Sequence, residues 1–148
     1  MRIIILENIR SAYNVGNIIR TADALWRQVR LSGYTPSPLD NAKVAKTSLW
    51  AEEHVGLKQF DTTKDAIAEA KKNKCTVIAA EITPEALDLT EFSQQKISDV
   101  AVVFGNEVEG VLSTTLKWVD HVVCIPMKGI KESLNVGQST AIFMRQLR

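Results

Sequence analysis

Apolar positions in this chain come in two rhythms. Short, mostly apolar runs cover Arg2–Leu6, Cys75–Ala80, Val100–Phe104 and His121–Ile125, and two mixed ones of similar length cover Val29–Ser32 and Leu57–Phe60. Between them lie stretches with apolar residues three and four apart, such as Ile18, Ile19, Ala22 and Leu25, or Ala66, Ile67 and Ala70. Continuous runs of this length read as strands buried on both faces, and the 3.6-residue period reads as amphipathic helices. The pattern predicts helices over 15–26, 42–50, 61–72, 109–117 and 134–147. The turn-rich stretch 33–39 carries two prolines, and 83–97 reads as a polar connection. Strands alternating with helices predict an α/β fold, a single domain of parallel sheet with helices on both faces. Ligands of such sheets bind beyond the carboxyl ends of the strands. The expected site is therefore built from loops 7–16, 105–110 and 126–135.

Composition changes this picture little. The chain has 148 residues, with 45% hydrophobic and 24% charged positions, enough for one domain with a core. No apolar run approaches the roughly 18 residues that span a bilayer. Residues 2–6 are too short for a signal peptide and acidic Glu7 follows, so a cytoplasmic location and no membrane are expected. Cys75 and Cys124 lie at the start and end of two predicted strands and read as reduced, buried thiols. With two cysteines and two separated histidines, no metal-ligand spacing is present. Net charge is +1 but uneven: residues 1–50 hold seven Lys/Arg against three Asp/Glu, and residues 51–100 hold six against ten. An RNA-facing surface on the first third, joined by Lys128 and Lys131, is one reading of that asymmetry; a solvated mixed-charge surface is the other, and charge alone favours it.

Three loop motifs carry the chemistry. Asn14-Val15-Gly16 is followed by Arg20. Phe104-Gly105-Asn106-Glu107 ends one strand, with Glu109-Gly110 after it. Ile125-Pro126-Met127 ends another, followed by a short loop and Ser133-Leu134-Asn135-Val136. Each taken alone has an ordinary explanation: Asn14, Ser133 and Asn135 as helix caps, Gly105 as a turn glycine, Ile125 and Leu134 as core, Glu107 as a charge near the N-terminus of helix 109–117, Arg20 as a solvent-facing helix residue.

In this order the motifs resemble the SpoU/TrmH branch of the SPOUT superfamily, RNA ribose 2′-O-methyltransferases, over Ile3 to about Leu147. The resemblance implies a trefoil knot near the C-terminus, made by threading the third motif. It implies S-adenosylmethionine as cofactor, held by Glu81, Gly105, Ile125, Met127, Ser133 and Leu134, with Glu81 the least secure because the loop after it varies in length. It implies Arg20, Asn14, Glu107, Ser133 and Asn135 as catalytic residues and a homodimer in which Arg20 of one subunit serves the pocket of the other. Guanidinium stays charged, so stabilising a developing alkoxide is the preferred role for Arg20, ahead of acting as a base. The expected substrate is tRNA, with rRNA as alternative, and the expected unit is a catalytic domain working without the N-terminal RNA-binding domain of many family members. Trp50 stands where many relatives have Gly, and offers a surface for stacking a base. Two other readings are a knotted RNA-binding module without activity, which the intact motif residues argue against, and a generic doubly wound nucleotide binder, for which a phosphate loop is missing.

Overall fold

The structure is a computed structural model that describes residues 1–26 and 28–147. Its centre is a seven-stranded sheet with every pairing parallel. The strands are β1 (Arg2–Glu7), β2 (Gln28–Ser32), β3 (Gly56–Phe60), β4 (Thr76–Ala80), β5 (Leu87–Asp88), β6 (Val100–Phe104) and β7 (His121–Cys124). They lie in the order β3-β2-β1-β6-β4-β7-β5. β1 aligns Ile4 with Val29 on one side and with Val102 on the other.

Side chains alternate across a strand, so β1 feeds both faces of the sheet. Ile4 and Leu6 join the core under α1 (Ala12–Leu25) and α6 (Val136–Gln146), while Ile3 and Ile5 join the core under α3 (Thr63–Lys72). This double coverage explains why β6 is apolar throughout and β1 is apolar from Ile3 to Leu6. The edge strand β3 is largely exposed and correspondingly polar.

The helices follow the predicted periods, with corrected ends. Helix α1 begins at Ala12 rather than at residue 15, capped by Ser11, whose hydroxyl accepts from the Asn14 amide at 3.2 Å. α2 is Ala42–Ser48, ending before residue 50. The helix expected over 109–117 is reduced to α5 (Ser113–Leu116); residues 105–112 form a loop closed by a bridge between Asn106 and Gly110. That loop is held from outside by side chains, so its backbone groups need no helix to satisfy them. The expected polar connection 83–97 contains β5 and α4 (Leu89–Ser93), because Leu89 and Phe92 turn inward and bury. α6 packs its Phe143 and Met144 into its own subunit's core, and the Trp26 indole donates to the Met144 carbonyl at 2.9 Å. Ile142, on the same helix, remains exposed.

The topology reverses at β1. The chain runs from β1 outward through β2 to β3, then crosses to place β4, β6 and β7 on the other side. A crevice at the carboxyl ends beside such a reversal is the expected ligand position.

Candidate functional site: a carboxylate-lined cavity and a cationic groove

A cavity of about 630 Å³ opens at the carboxyl ends of β4, β6 and β7. Three segments build its walls: residues 80–82 after β4, 104–111 after β6, and 123–127 with 133–136 leading into α6. All six residues expected to hold the cofactor line it: Glu81, Gly105, Ile125, Met127, Ser133 and Leu134. Glu107 and Asn135 line it as well. The expected contribution of loop 7–16 is corrected: none of those residues lines the cavity. They reach its wall through hydrogen bonds, and one side chain among them joins two of its residues. Asn14 donates to Glu107 Oε1 at 3.2 Å and accepts from Asn135 Nδ2 at 3.2 Å. One residue from each motif thus enters a single hydrogen-bond chain.

The local roles differ from ordinary capping. Ser11 caps α1, and Asn14 sits in its first turn. Glu107 receives the Arg10 and Ser11 amides at 2.9 and 3.1 Å, so its carboxylate serves the N-terminus of α1 rather than that of a helix following it. Burial works against its charge, but those amides and the Asn14 side chain outweigh it and hold the Glu107 carboxyl below the usual carboxylate value. Asn135 caps α6 by accepting from the Gly137 and Gln138 amides. Ser133 lies on the cavity wall and does not cap α6.

Loop 105–112 is clamped from two strands. Glu81 Oε2 accepts from the Val111 amide at 2.9 Å. From the end of β1, fully buried Glu7 accepts from the Leu112 amide at 2.9 Å and from the Thr115 hydroxyl. Asn106 adds a third tie, donating to the Asn8 carbonyl and the Tyr34 hydroxyl. Gly105 permits the tight return: a Cβ there would sit 2.2 Å from the Gly110 carbonyl carbon. Sequence reasoning missed Glu7 and Asn106. The signal for Glu7 was a carboxylate closing a strand that is apolar from Ile3 to Leu6, since an acid in that setting is buried only with partners.

Arg20 does not join this cavity. It lies in a separate groove of about 560 Å³ between α1 and α2, with Tyr13, Asn17, Lys43, Lys46, Thr47 and Leu49. The two concavities have opposite charge. The cavity wall carries Glu81, Glu107 and Glu109 and, among the described residues, no Lys, Arg or His. The groove carries three cations and no carboxylate. A ligand with positive charge fits the first and an anion fits the second.

Comparison with known proteins decides the family. The model of the SpoU rRNA Methylase family matches residues 1–145. The chain belongs to this family. It is 27% identical over 139 residues to the tRNA (guanosine(18)-2′-O)-methyltransferase of Escherichia coli strain K12, covering 94% of this chain and 59% of that enzyme. The chain therefore spans less than two thirds of that relative. Among solved structures, one described as giving structural insights into the 2-OH methylation of C/U34 on tRNA superposes with a TM-score of 0.86 at 25% identity, covering 99% of this chain and 93% of its own. An rRNA methyltransferase from Sinorhizobium meliloti with S-adenosylmethionine bound superposes at 0.89 with 24% identity, covering 99% of this chain and 55% of its own; that likeness concerns the fold.

Among the described residues no group of three or more His, Cys, Asp or Glu side chains could hold a metal ion, and no helix is long and apolar enough to cross a membrane.

Proposed function

We propose that this protein transfers a methyl group from S-adenosylmethionine to a ribose 2′-oxygen of RNA, with tRNA as the substrate class. The observation that carries this reading is the pair of oppositely charged concavities at the family's motif residues. S-adenosylmethionine supplies a methyl group on a positively charged sulfur. A wall with carboxylates and no cation suits that charge, and Ile125 and Leu134 with the backbone of 105–111 suit an apolar base. A phosphate ligand would meet only like charge there. RNA, a polyanion, fits the groove.

In this reading the catalytic set is Arg20, Asn14, Glu107, Ser133 and Asn135, and the cofactor set is Glu81, Gly105, Ile125, Met127, Ser133 and Leu134. The Arg20 guanidinium stands as a fixed positive charge at the ribose and stabilises the oxygen as its proton passes to water or to a phosphate oxygen of the RNA. Asn14, bonded to both Glu107 and Asn135, fixes the first turn of α1 against the cavity rim and so sets where Arg20 projects. The cavity wall excludes water and aligns acceptor and donor for in-line displacement.

Arg20 and the cavity lie in separate concavities of one protomer, which supports a homodimer whose active site takes Arg20 from the other copy. Exposed Leu25, Leu134 and Ile142 supply apolar surface for that contact. The unit is one methyltransferase domain over 1–148, with segment 126–135 threaded as a trefoil knot, acting in the cytoplasm. The solved structure of similar length described for C/U34 of tRNA supports tRNA over rRNA.

Calorimetry tests the cofactor. S-adenosylhomocysteine should bind and ATP should not; tighter binding of ATP would reject the reading. Arg20→Ala should abolish most methyl transfer to tRNA and leave S-adenosylhomocysteine affinity unchanged.

A further inference from the structure

We propose that the groove between α1 and α2 is a binding site for single-stranded RNA backbone, in which Lys43 and Lys46 hold the phosphates flanking the nucleotide presented to Arg20. The inference rests on the reading of the chain as an RNA methyltransferase and extends it to a surface outside the motifs.

The first observation is how the groove is made. Gly16, inside the first motif, is buried against α2: a Cβ there would lie 2.5 Å from Thr47 Cβ and 2.8 Å from the Val44 carbonyl oxygen. The motif glycine touches no part of the cofactor cavity. Its consequence is close approach of α2, which brings Lys43 and Lys46 onto the rim that carries Arg20. These lysines are three apart on a helix and share a face.

The second observation is charge. Ion pairs among the described residues join Arg30 and Lys58 to Glu69, Lys71 to Asp120, and the N-terminus to Asp99. None of these pairs involves Arg20, Lys43 or Lys46, and no Asp or Glu lines the groove. α2 itself carries no acidic residue. Three cations gathered without a counter-charge repel one another, and a polyanion relieves that repulsion.

The third observation is the flanking aromatic surface. Tyr13 lines the groove and is 66% exposed; Trp50, just past α2, is 72% exposed. Trp50 and Leu49 hold left-handed backbone conformations, φ 71° and 53°, and Leu49 lines the groove. Cations along a groove with exposed rings at its margins match the way proteins hold single strands, phosphates on the cations and bases on the rings. A duplex would present its bases stacked internally and leave the rings unused.

The test measures binding of a labelled oligouridylate and of unfractionated tRNA by anisotropy across salt, for the full chain and for Lys43→Gln/Lys46→Gln. Losing two phosphate contacts should lower the slope of log affinity against log salt by about 1.4 for a single strand, so between 50 and 200 mM salt the unaltered chain should lose about sevenfold more affinity than the variant. S-adenosylhomocysteine affinity should not move and the melting temperature should not fall. A control, Lys72→Gln/Lys74→Gln on the α3 side, should leave the slope unchanged. An equal slope in the groove variant, or an equal drop in the control, overturns the proposal. So does a changed sedimentation coefficient with unchanged RNA binding, which assigns the groove to a second copy of the chain. If S-adenosylhomocysteine fails to bind the unaltered chain, the methyltransferase reading fails instead, and the two failures are thereby told apart.

Discussion

The Asn135 side-chain amide donates to Asn14 Oδ1 at 3.2 Å, across 121 positions of sequence. Asn14 in turn donates to Glu107. A side chain with one acceptor and one donor is required at position 14, because its neighbours are a donor on one side and a carboxylate on the other. Asn14→Ala removes both bonds and should cost about 1–2 kcal/mol, since one partner is charged. Asn14→Asp keeps the bond to Asn135 but sets a carboxylate against Glu107, and should cost more than alanine at neutral pH. Urea denaturation of the two variants checks the order; an aspartate variant more stable than the alanine variant would contradict it.

Glu7 holds the end of loop 105–112, which forms one wall of the carboxylate-lined cavity. Glu7→Gln keeps the shape but turns an NH2 group toward either the Leu112 amide or the Thr115 hydroxyl. Facing the amide, it sets a buried donor against a donor; facing the hydroxyl, it makes that group accept and leaves its proton without the carboxylate. Either loss costs about 1–3 kcal/mol, and the melting temperature should fall by about 2–4 °C for each kcal/mol lost. Loop 105–112 should loosen, so S-adenosylhomocysteine affinity should fall too. Unchanged affinity in a destabilised variant would show that Glu7 serves the core alone.

Stability should decline in acid. Glu107, Glu69 and Asp120 all have carboxyl groups lowered from their ordinary values despite opposing burial, by backbone amides and Asn14, by Arg30 and Lys58, and by the Val77 amide and Lys71 respectively. A carboxylate lowered in the folded state contributes fully above its unfolded value, 4.5 for Glu and 3.8 for Asp. The contribution disappears as pH falls through the lower folded value. Melting temperature should therefore hold near neutrality and drop once pH passes below about 4.5. Glu107→Gln should flatten that drop in part, leaving the shares of Glu69 and Asp120. An identical profile for the variant would mean Glu107 is not held ionised by the α1 amides.

Much of this was legible in the sequence, for identifiable reasons. β1 and β6 are buried on both faces, so their apolar runs could be read directly, and strand ends then placed the site. Asn14, Glu107 and Asn135 could be named from motifs, but their joining could not, because only the sheet order brings β6 beside β1. The helix expected over 109–117 failed because periodicity cannot register that Glu7, Glu81 and Asn106 reach in from elsewhere to satisfy the loop. Leu89 and Phe92 were hidden in a segment whose other residues are polar. Arg20 could be singled out by its spacing from Asn14 and Gly16, but its place in a groove with Lys43 and Lys46, apart from the cavity, depends on α2 packing beside α1, which no local pattern announces.

Trp50 sits at φ 71°, where glycine is at ease and a side chain is strained by about 1–2 kcal/mol. Trp50→Gly should therefore be more stable than Trp50→Ala, by about 1 kcal/mol, although glycine loses more entropy on folding. Both variants remove the exposed ring, so the comparison isolates the backbone. Urea midpoints decide it, and an alanine variant equal to or above glycine would contradict the strain.

In the proposed reading, Arg20 of one copy completes the cofactor cavity of another. The direct measurement mixes two inactive proteins, one carrying Arg20→Ala and one carrying Leu134→Arg, which places a bulky cation in the cavity. Each must first be shown folded, and subunit exchange must be demonstrated. In a symmetric dimer with free exchange, half the dimers are mixed and each holds one complete site, so methyl transfer to tRNA should recover to about a quarter of the unaltered level. Demonstrated mixed dimers without recovered activity would place Arg20 and its cofactor in the same subunit and contradict the account.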